Sequence, residues 1–231
     1  MIRRLLFAGS ALAAALLVAS PAEAQLNLRG LKFPASLQNV FLLRGDAVQT
    51  ELGLKDEQKA SISELATALQ QEAFEIFSGL QDLTQDEQKE QMPEVMQMIA
   101  EKGKEIEEKV DKILAEEQKT RLKELSVQSR GPQALEDDEI AAALKVTDEQ
   151  KKKLEAIREE GNAAMQEMFT SLRASGGDQG AMREKIGVMR KELSDKALAV
   201  LTPEQREQFD KLKGKEFKFP SGRGGGGGLP F

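Results

Sequence analysis

Apolar residues recur three and four positions apart through most of this chain. Ile62, Leu65, Leu69, Ala73, Ile76, Phe77 and Leu80 form one such stripe, and Val95, Ile99, Ile106, Val110 and Ile113 form the next. Leu154, Ile157, Met165, Met168 and Leu172, then Met182, Ile186, Met189, Leu193, Ala197 and Val200, repeat the arrangement further on. This spacing places the apolar side chains on one face of a helix, and no stretch alternates with the period of two that a strand requires. Breaks fall at residues 81–85, at 129–133 around Gly131-Pro132, and at 174–180 around Gly176-Gly177. The pattern predicts four main helices plus short ones between residues 46 and 213. Residues 25–45 are apolar without a period and contain Pro34, which suits an arm that docks on something. Residues 214–231 end in a glycine run and read as a flexible tail.

The breaks divide the helical region into two similar halves. Sliding residues 46–77 onto 138–169 superposes Asp46 on Asp138, Leu52 on Leu144, the run 56–59 on 148–151, Glu75 on Glu167 and Phe77 on Phe169, eight identities in 32 positions. Later in each half, residues 114–119 fall on 201–206, and Leu122 and Leu125 on Phe209 and Leu212. The expected fold is therefore all-α: two tandem helical-hairpin repeats, residues 46–131 and 132–213, in an elongated or curved bundle.

Residues 1–24 read as a signal peptide: Arg3 and Arg4, an apolar run from residue 5 to 19, then Ala22-Glu23-Ala24 as a cleavage site. The run is too short for a membrane span, so the mature chain is expected as a free periplasmic or secreted protein without an integral membrane segment. Without residues 1–24 the chain holds 31 basic and 38 acidic residues, a net charge of −7, which fits neither nucleic acid nor an anionic membrane as partner.

Of the 231 residues none is His, Cys, Trp or Tyr. Imidazole bases, thiol nucleophiles, disulfides and Cys/His zinc sites are thereby excluded, and neither catalytic residues nor a cofactor is expected. Met92, Met96, Met98, Met165, Met168, Met182 and Met189 offer soft sulfur that would suit Cu(I), against the plainer expectation that they pack on the apolar stripes. The acidic run 136–139 lacks the alternating ligands of a calcium loop and suits the start of a helix. The charged stretch 101–109 reads as a solvated helix face. Gly222-x-Gly224-x-x-Gly227 has no flanking strand and helix to make it a phosphate site, and Arg44-Gly45-Asp46 reads as a loop ended by Gly45 with Asp46 capping a helix that starts at Ala47.

One element recurs four times: Leu54 with Gln58, Leu114 with Gln118, Val146-Thr147 with Gln150, and Leu201-Thr202 with Gln205. Its physics is a helix start. At residues 201–205 the Thr202 hydroxyl is placed to accept from the Gln205 amide, the Gln205 side chain reaches back to the Thr202 amide, and Pro203 occupies the first helical position. At Lys55 and Ala115 the hydroxyl is missing, so those copies read as continued helix or as capped by Asp56 instead.

Leu201-Thr202-Pro203-Glu204-Gln205 resembles the LTxxQ motif of the Spy/CpxP-like periplasmic proteins, and residues 146–150 are a near match. The resemblance implies a helical, non-enzymatic, ATP-independent chaperone or envelope-stress regulator. Its partners would be unfolded or envelope proteins, with homo-oligomers as another form of association. It also implies two such units fused in one chain, although the family's holding face tends to be basic and this chain is acidic. Candidate client contacts are Phe74, Phe77, Met165, Met168 and Phe169, against the reading that these form the core between the hairpins, which suits Phe77 and Phe169 better. The alternatives are a scaffolding envelope protein that self-associates through the arm and a Cu(I)-responsive protein.

Overall fold

A computed structural model describes residues 33–220 apart from residue 82 and residues 176–178. Among the described residues the chain is all-α: α1 Ala35–Leu43, α2 Asp46–Glu51, α3 Asp56–Gln81, α4 Gln85–Ile113, α5 Glu116–Arg130, α6 Asp138–Ala143, α7 Asp148–Ser175, α8 Gln179–Ala199 and α9 Pro203–Leu212, with a 3₁₀ turn Gly131–Glu136 before α6. The four long helices are the four expected from the stripes. The proposed signal peptide and the glycine run lie outside the described residues.

The chain divides into two compact units, one ending at Lys119 and the other starting at Thr120. That boundary falls inside α5, and not at residue 131 as the break around Gly131-Pro132 suggested. Val127, near the end of α5, belongs to the core of the second unit.

In the first unit the arm that looked aperiodic is a helix from Ala35 onward. Pro34 precedes it, where its missing donor costs nothing. Leu37, Val40 and Leu43 are buried, and α1 packs on α3 and α4. Gly103 permits this approach: a Cβ there would lie 2.6 Å from the Pro34 ring, and the Ser36 hydroxyl donates to the Gly103 carbonyl at 2.8 Å. The α3 stripe is buried at Ile62, Leu65, Ala66, Leu69, Ala73 and Leu80. Lys102, expected on a solvated face, is instead only 5% exposed, held 3.3 Å from Glu72 of α3 and 2.5 Å from Glu105. Its burial follows from α3 covering that side of α4, and the two carboxylates compensate the desolvated ammonium.

In the second unit α7 and α8 pack as a hairpin, and the 3₁₀ turn contacts both of them and α6. The core gathers Val127, Ala134, Leu135, Ala141, Leu144, Val146, Leu154, Ala197, Leu201 and Phe209 near the start of α7 and the end of α8. Further along the hairpin Gly161 lets Leu193 approach, to 2.8 Å of where a Cβ would stand. The acidic run is structural: Asp137 pairs with Arg130 at 2.6 Å and Glu136 with Arg158 at 3.4 Å, while Asp138 and Glu139 open α6.

Candidate functional site

Each of the four motif copies sits where one helix ends and the next begins, and its first apolar residue is buried: Leu54, Leu114, Val146 and Leu201. Both threonine copies are closed by two bonds. Gln205 donates its amide to the Thr202 hydroxyl at 3.2 Å and accepts the Thr202 amide at 3.0 Å, and Thr147 with Gln150 repeats this at 3.2 and 3.0 Å. The copies without a hydroxyl keep half of the device. Gln58 Oε1 accepts the Lys55 amide at 3.0 Å and Gln118 Oε1 accepts the Ala115 amide at 2.9 Å. Ala115 is therefore a real helix boundary and not continued helix. At Arg44-Gly45-Asp46, Gly45 is the cap and Asp46 the first helical residue, one position earlier than the sequence suggested.

The other end of each glutamine does something that a cap alone does not require. In the first unit Gln58 Nε2 donates to the Ile113 carbonyl at 2.7 Å and to Gln118 Oε1 at 2.8 Å, while Gln118 Nε2 donates to the Leu52 carbonyl at 3.1 Å. In the second unit Gln150 Nε2 donates to the Val200 carbonyl at 2.9 Å and to Gln205 Oε1 at 2.6 Å, while Gln205 Nε2 donates to the Leu144 carbonyl at 3.1 Å. These carbonyls stand at or just past the ends of the helices preceding the partner copy, where helices leave acceptors unsatisfied. One carboxamide thus accepts from its own turn and donates to the turn facing it, which only a group with both functions can do. The two motifs of each unit are a reciprocal clasp.

The equivalence extends to the backbone. Gly53 and Lys145 hold the left-handed conformation at φ 58° and 53°, each directly before a motif's apolar residue. Leu54 N donates to the Gln49 carbonyl at 2.9 Å and Val146 N to the Ala141 carbonyl at 2.8 Å, the same helix-ending bond in both units. Buried positions correspond as well: Ile62 with Leu154, Ala73 with Met165, Val110 with Ala197, and Leu122 with Phe209.

A third capping box opens α4. Thr84 accepts from the Glu87 amide at 3.4 Å, and Glu87 accepts the Thr84 amide at 2.9 Å. Residues 83–87 read Leu-Thr-x-x-Glu, so the apolar-Thr signal was present, but a search for glutamine at the last position passes over it. Bonds from Thr84 hold the Glu87 carboxyl below its ordinary range, and bonds from its own backbone and from Thr202 do the same for Glu204.

The candidate client contacts are placed differently from one another. Phe74 is 70% exposed on α3, at the rim of a shallow hollow with Gln70, Gln71 and Glu75. A second hollow, lined by Ala163, Gln166, Glu167, Thr170 and Ser171, occupies the matching stretch of α7. Met168 is half-buried, whereas Met165 is 2% exposed and takes the core position that Ala73 fills in the first unit, so it is packing and not contact surface. Phe77 and Phe169 lie in α3 and α7, with their side chains outside the described residues. Met92, Met96 and Met189 are half-buried and Met98 is exposed; Met182 lies outside the described side chains. Among the described residues no group of three His, Cys, Asp or Glu is arranged to hold a metal ion, and no helix is long and apolar enough to cross a membrane.

Residues 133–213 match the family model described as LTXXQ motif family protein. No curated protein and no solved structure matches the chain.

Proposed function

We propose, from the match of residues 133–213 to the LTXXQ motif family model, that this is an exported, non-enzymatic protein whose two helical units hold other proteins without nucleotide, as Spy/CpxP-like chaperones do. Phe74 carries the reading: a large aromatic side chain left 70% exposed in a long helix whose other face is buried. An isolated exposed apolar residue is common, but an aromatic ring beside polar Gln70, Gln71 and Glu75 offers weak, non-directional contact to an apolar segment within reach of solvent. Binding of that kind can release its client unaided.

Leu37, Val40 and Leu43 of the arm are buried within the first unit, which favours the holding reading over self-association through those residues. The test is suppression of aggregation. Residues 25–231 are titrated into a denatured client diluted out of denaturant, without ATP, beside the Phe74→Ser chain. Light scattering is expected to fall at near-stoichiometric ratios, and the variant is expected to be weaker with unchanged helicity. Unchanged scattering in the presence of folded protein would sink the reading.

A further inference from the structure

The start of the tail, expected to be flexible, is tied down in the second unit by a single side chain. Gln128 of α5 donates Nε2 to the Lys213 carbonyl and, at 2.8 Å, to the Lys215 carbonyl, while its Oε1 accepts the Phe217 amide at 2.9 Å. All three partners are backbone groups, so the carboxamide reads the direction and extension of a peptide and not its side chains. Gly214 makes the approach possible. It lies at φ 59°, and a Cβ there would stand 2.0 Å from the Glu124 carboxyl, so the peptide passes α5 closer than any side chain allows. Lys213 lies over the Phe209 ring at 4.7 Å. Beyond it Phe217 and Phe219, both half-buried, meet edge to face at 4.9 Å.

We propose that the Gln128 face of α5 is a binding site for an extended peptide with a glycine followed by alternating aromatic residues, occupied in the free protein by its own residues 213–219. A peptide of the same chemistry competes for it when the tail leaves. The site lies in the second unit, and its test makes no use of client aggregation, so it stands or falls apart from the role of Phe74. The tail is tethered next to the slot, and its effective concentration there reaches the millimolar range, which keeps a free peptide out until the tail is released.

The probe is a fluorescein-labelled synthetic peptide of residues 213–219, followed by anisotropy on the full chain, with amide exchange at Phe217 reporting whether the tail is seated. In the wild-type chain Phe217 is expected to be protected and the peptide to bind weakly. Gly214→Val, which sets side-chain atoms against Glu124, is expected to unprotect Phe217 and to tighten peptide binding about tenfold or more. Adding Gln128→Ala to that chain should abolish the gain. An unprotected Phe217 in the wild type overturns the proposal, as does a Phe217 that stays protected in the Gly214→Val chain. A released tail without tighter peptide binding also overturns it, leaving α5 as a seat for the tail alone.

Discussion

Gln205→Glu separates a helix cap from a clasp. Glutamate at the last position of a capping box accepts the cap amide as well as glutamine does, as Glu87 does for Thr84 at 2.9 Å. Near a helix N-terminus its charge adds roughly 0.3 to 1 kcal/mol of favourable dipole interaction. If Gln205 only capped α9, the substitution would be neutral or stabilising. In the structure Gln205 Nε2 also donates to part-buried acceptors, the Leu144 carbonyl at 3.1 Å and Gln150 Oε1 at 3.1 Å. A carboxylate cannot donate, so both bonds are lost at about 1 kcal/mol each. A negative oxygen then faces two part-buried acceptors, whose desolvation costs about a further 1 kcal/mol. Against the dipole gain the net loss is about 2 kcal/mol, close to a thirtyfold shift in the opening equilibrium of the second unit. Native-state hydrogen exchange read by mass spectrometry resolves the two units. Protection is expected to fall in peptides from residues 138–212 and to stay unchanged in those from 46–119. Thr202→Ala, which removes the cap and spares the clasp, should cost about 0.5 to 2 kcal/mol, and Glu87→Gln should be nearly silent. Equal or greater protection in the Gln205→Glu chain would refute the clasp.

Two glycines should respond oppositely to alanine. Gly103→Ala sets a methyl against Pro34 and is expected to cost about 1 to 3 kcal/mol by pushing α1 off α4, whereas Gly79→Ala, with nothing within 4 Å, should stabilise α3 by about 0.5 to 1 kcal/mol; urea unfolding checks both. Lys102→Met leaves Glu72 facing α4 unpaired and is expected to destabilise the first unit by about 3 kcal/mol, with recovery in the Glu72→Leu, Lys102→Met double variant. Bonds from Lys102, then Lys109, hold the Glu105 carboxyl below its ordinary 4.5, so its contribution is present above that value and lost as pH falls through the lowered one. Acid titration of the Lys102→Met chain should accordingly show a shallower loss of stability below about pH 4.5 than the wild type. Lys145→Gly relieves a side chain held at φ 53° and is expected to stabilise the second unit by about 0.5 to 1 kcal/mol in the same unfolding assay.

The features legible in the sequence were those set by neighbours a few positions apart. The period of three and four marked α3, α4, α7 and α8, because a helix brings such residues onto one face whatever lies opposite. The boxes at Thr147 and Thr202 were readable because cap and partner are three residues apart. The helix α1 is not outlined by its own pattern, because Phe41 and Leu42 stand beside the buried Leu37, Val40 and Leu43, and only Ser36, Gln38 and Asn39 mark a polar face in so short a stretch.

What the tertiary structure decided were pairings between residues far apart in the chain. Gln58 meets Gln118 and Gln150 meets Gln205 across whole hairpins, and nothing local to either distinguishes a capping glutamine from a clasping one. Lys102 reads as one charge among many until α3 covers it, and Gln128 reads as a surface residue until the chain returns at Lys213. Local spacing marked the four long helices and the starts at Thr147 and Thr202, since that free energy is gained within a turn or two. Which ends those helices join, which charge is buried and which ring stays exposed depend on packing between distant segments, and only the folded chain brings those together.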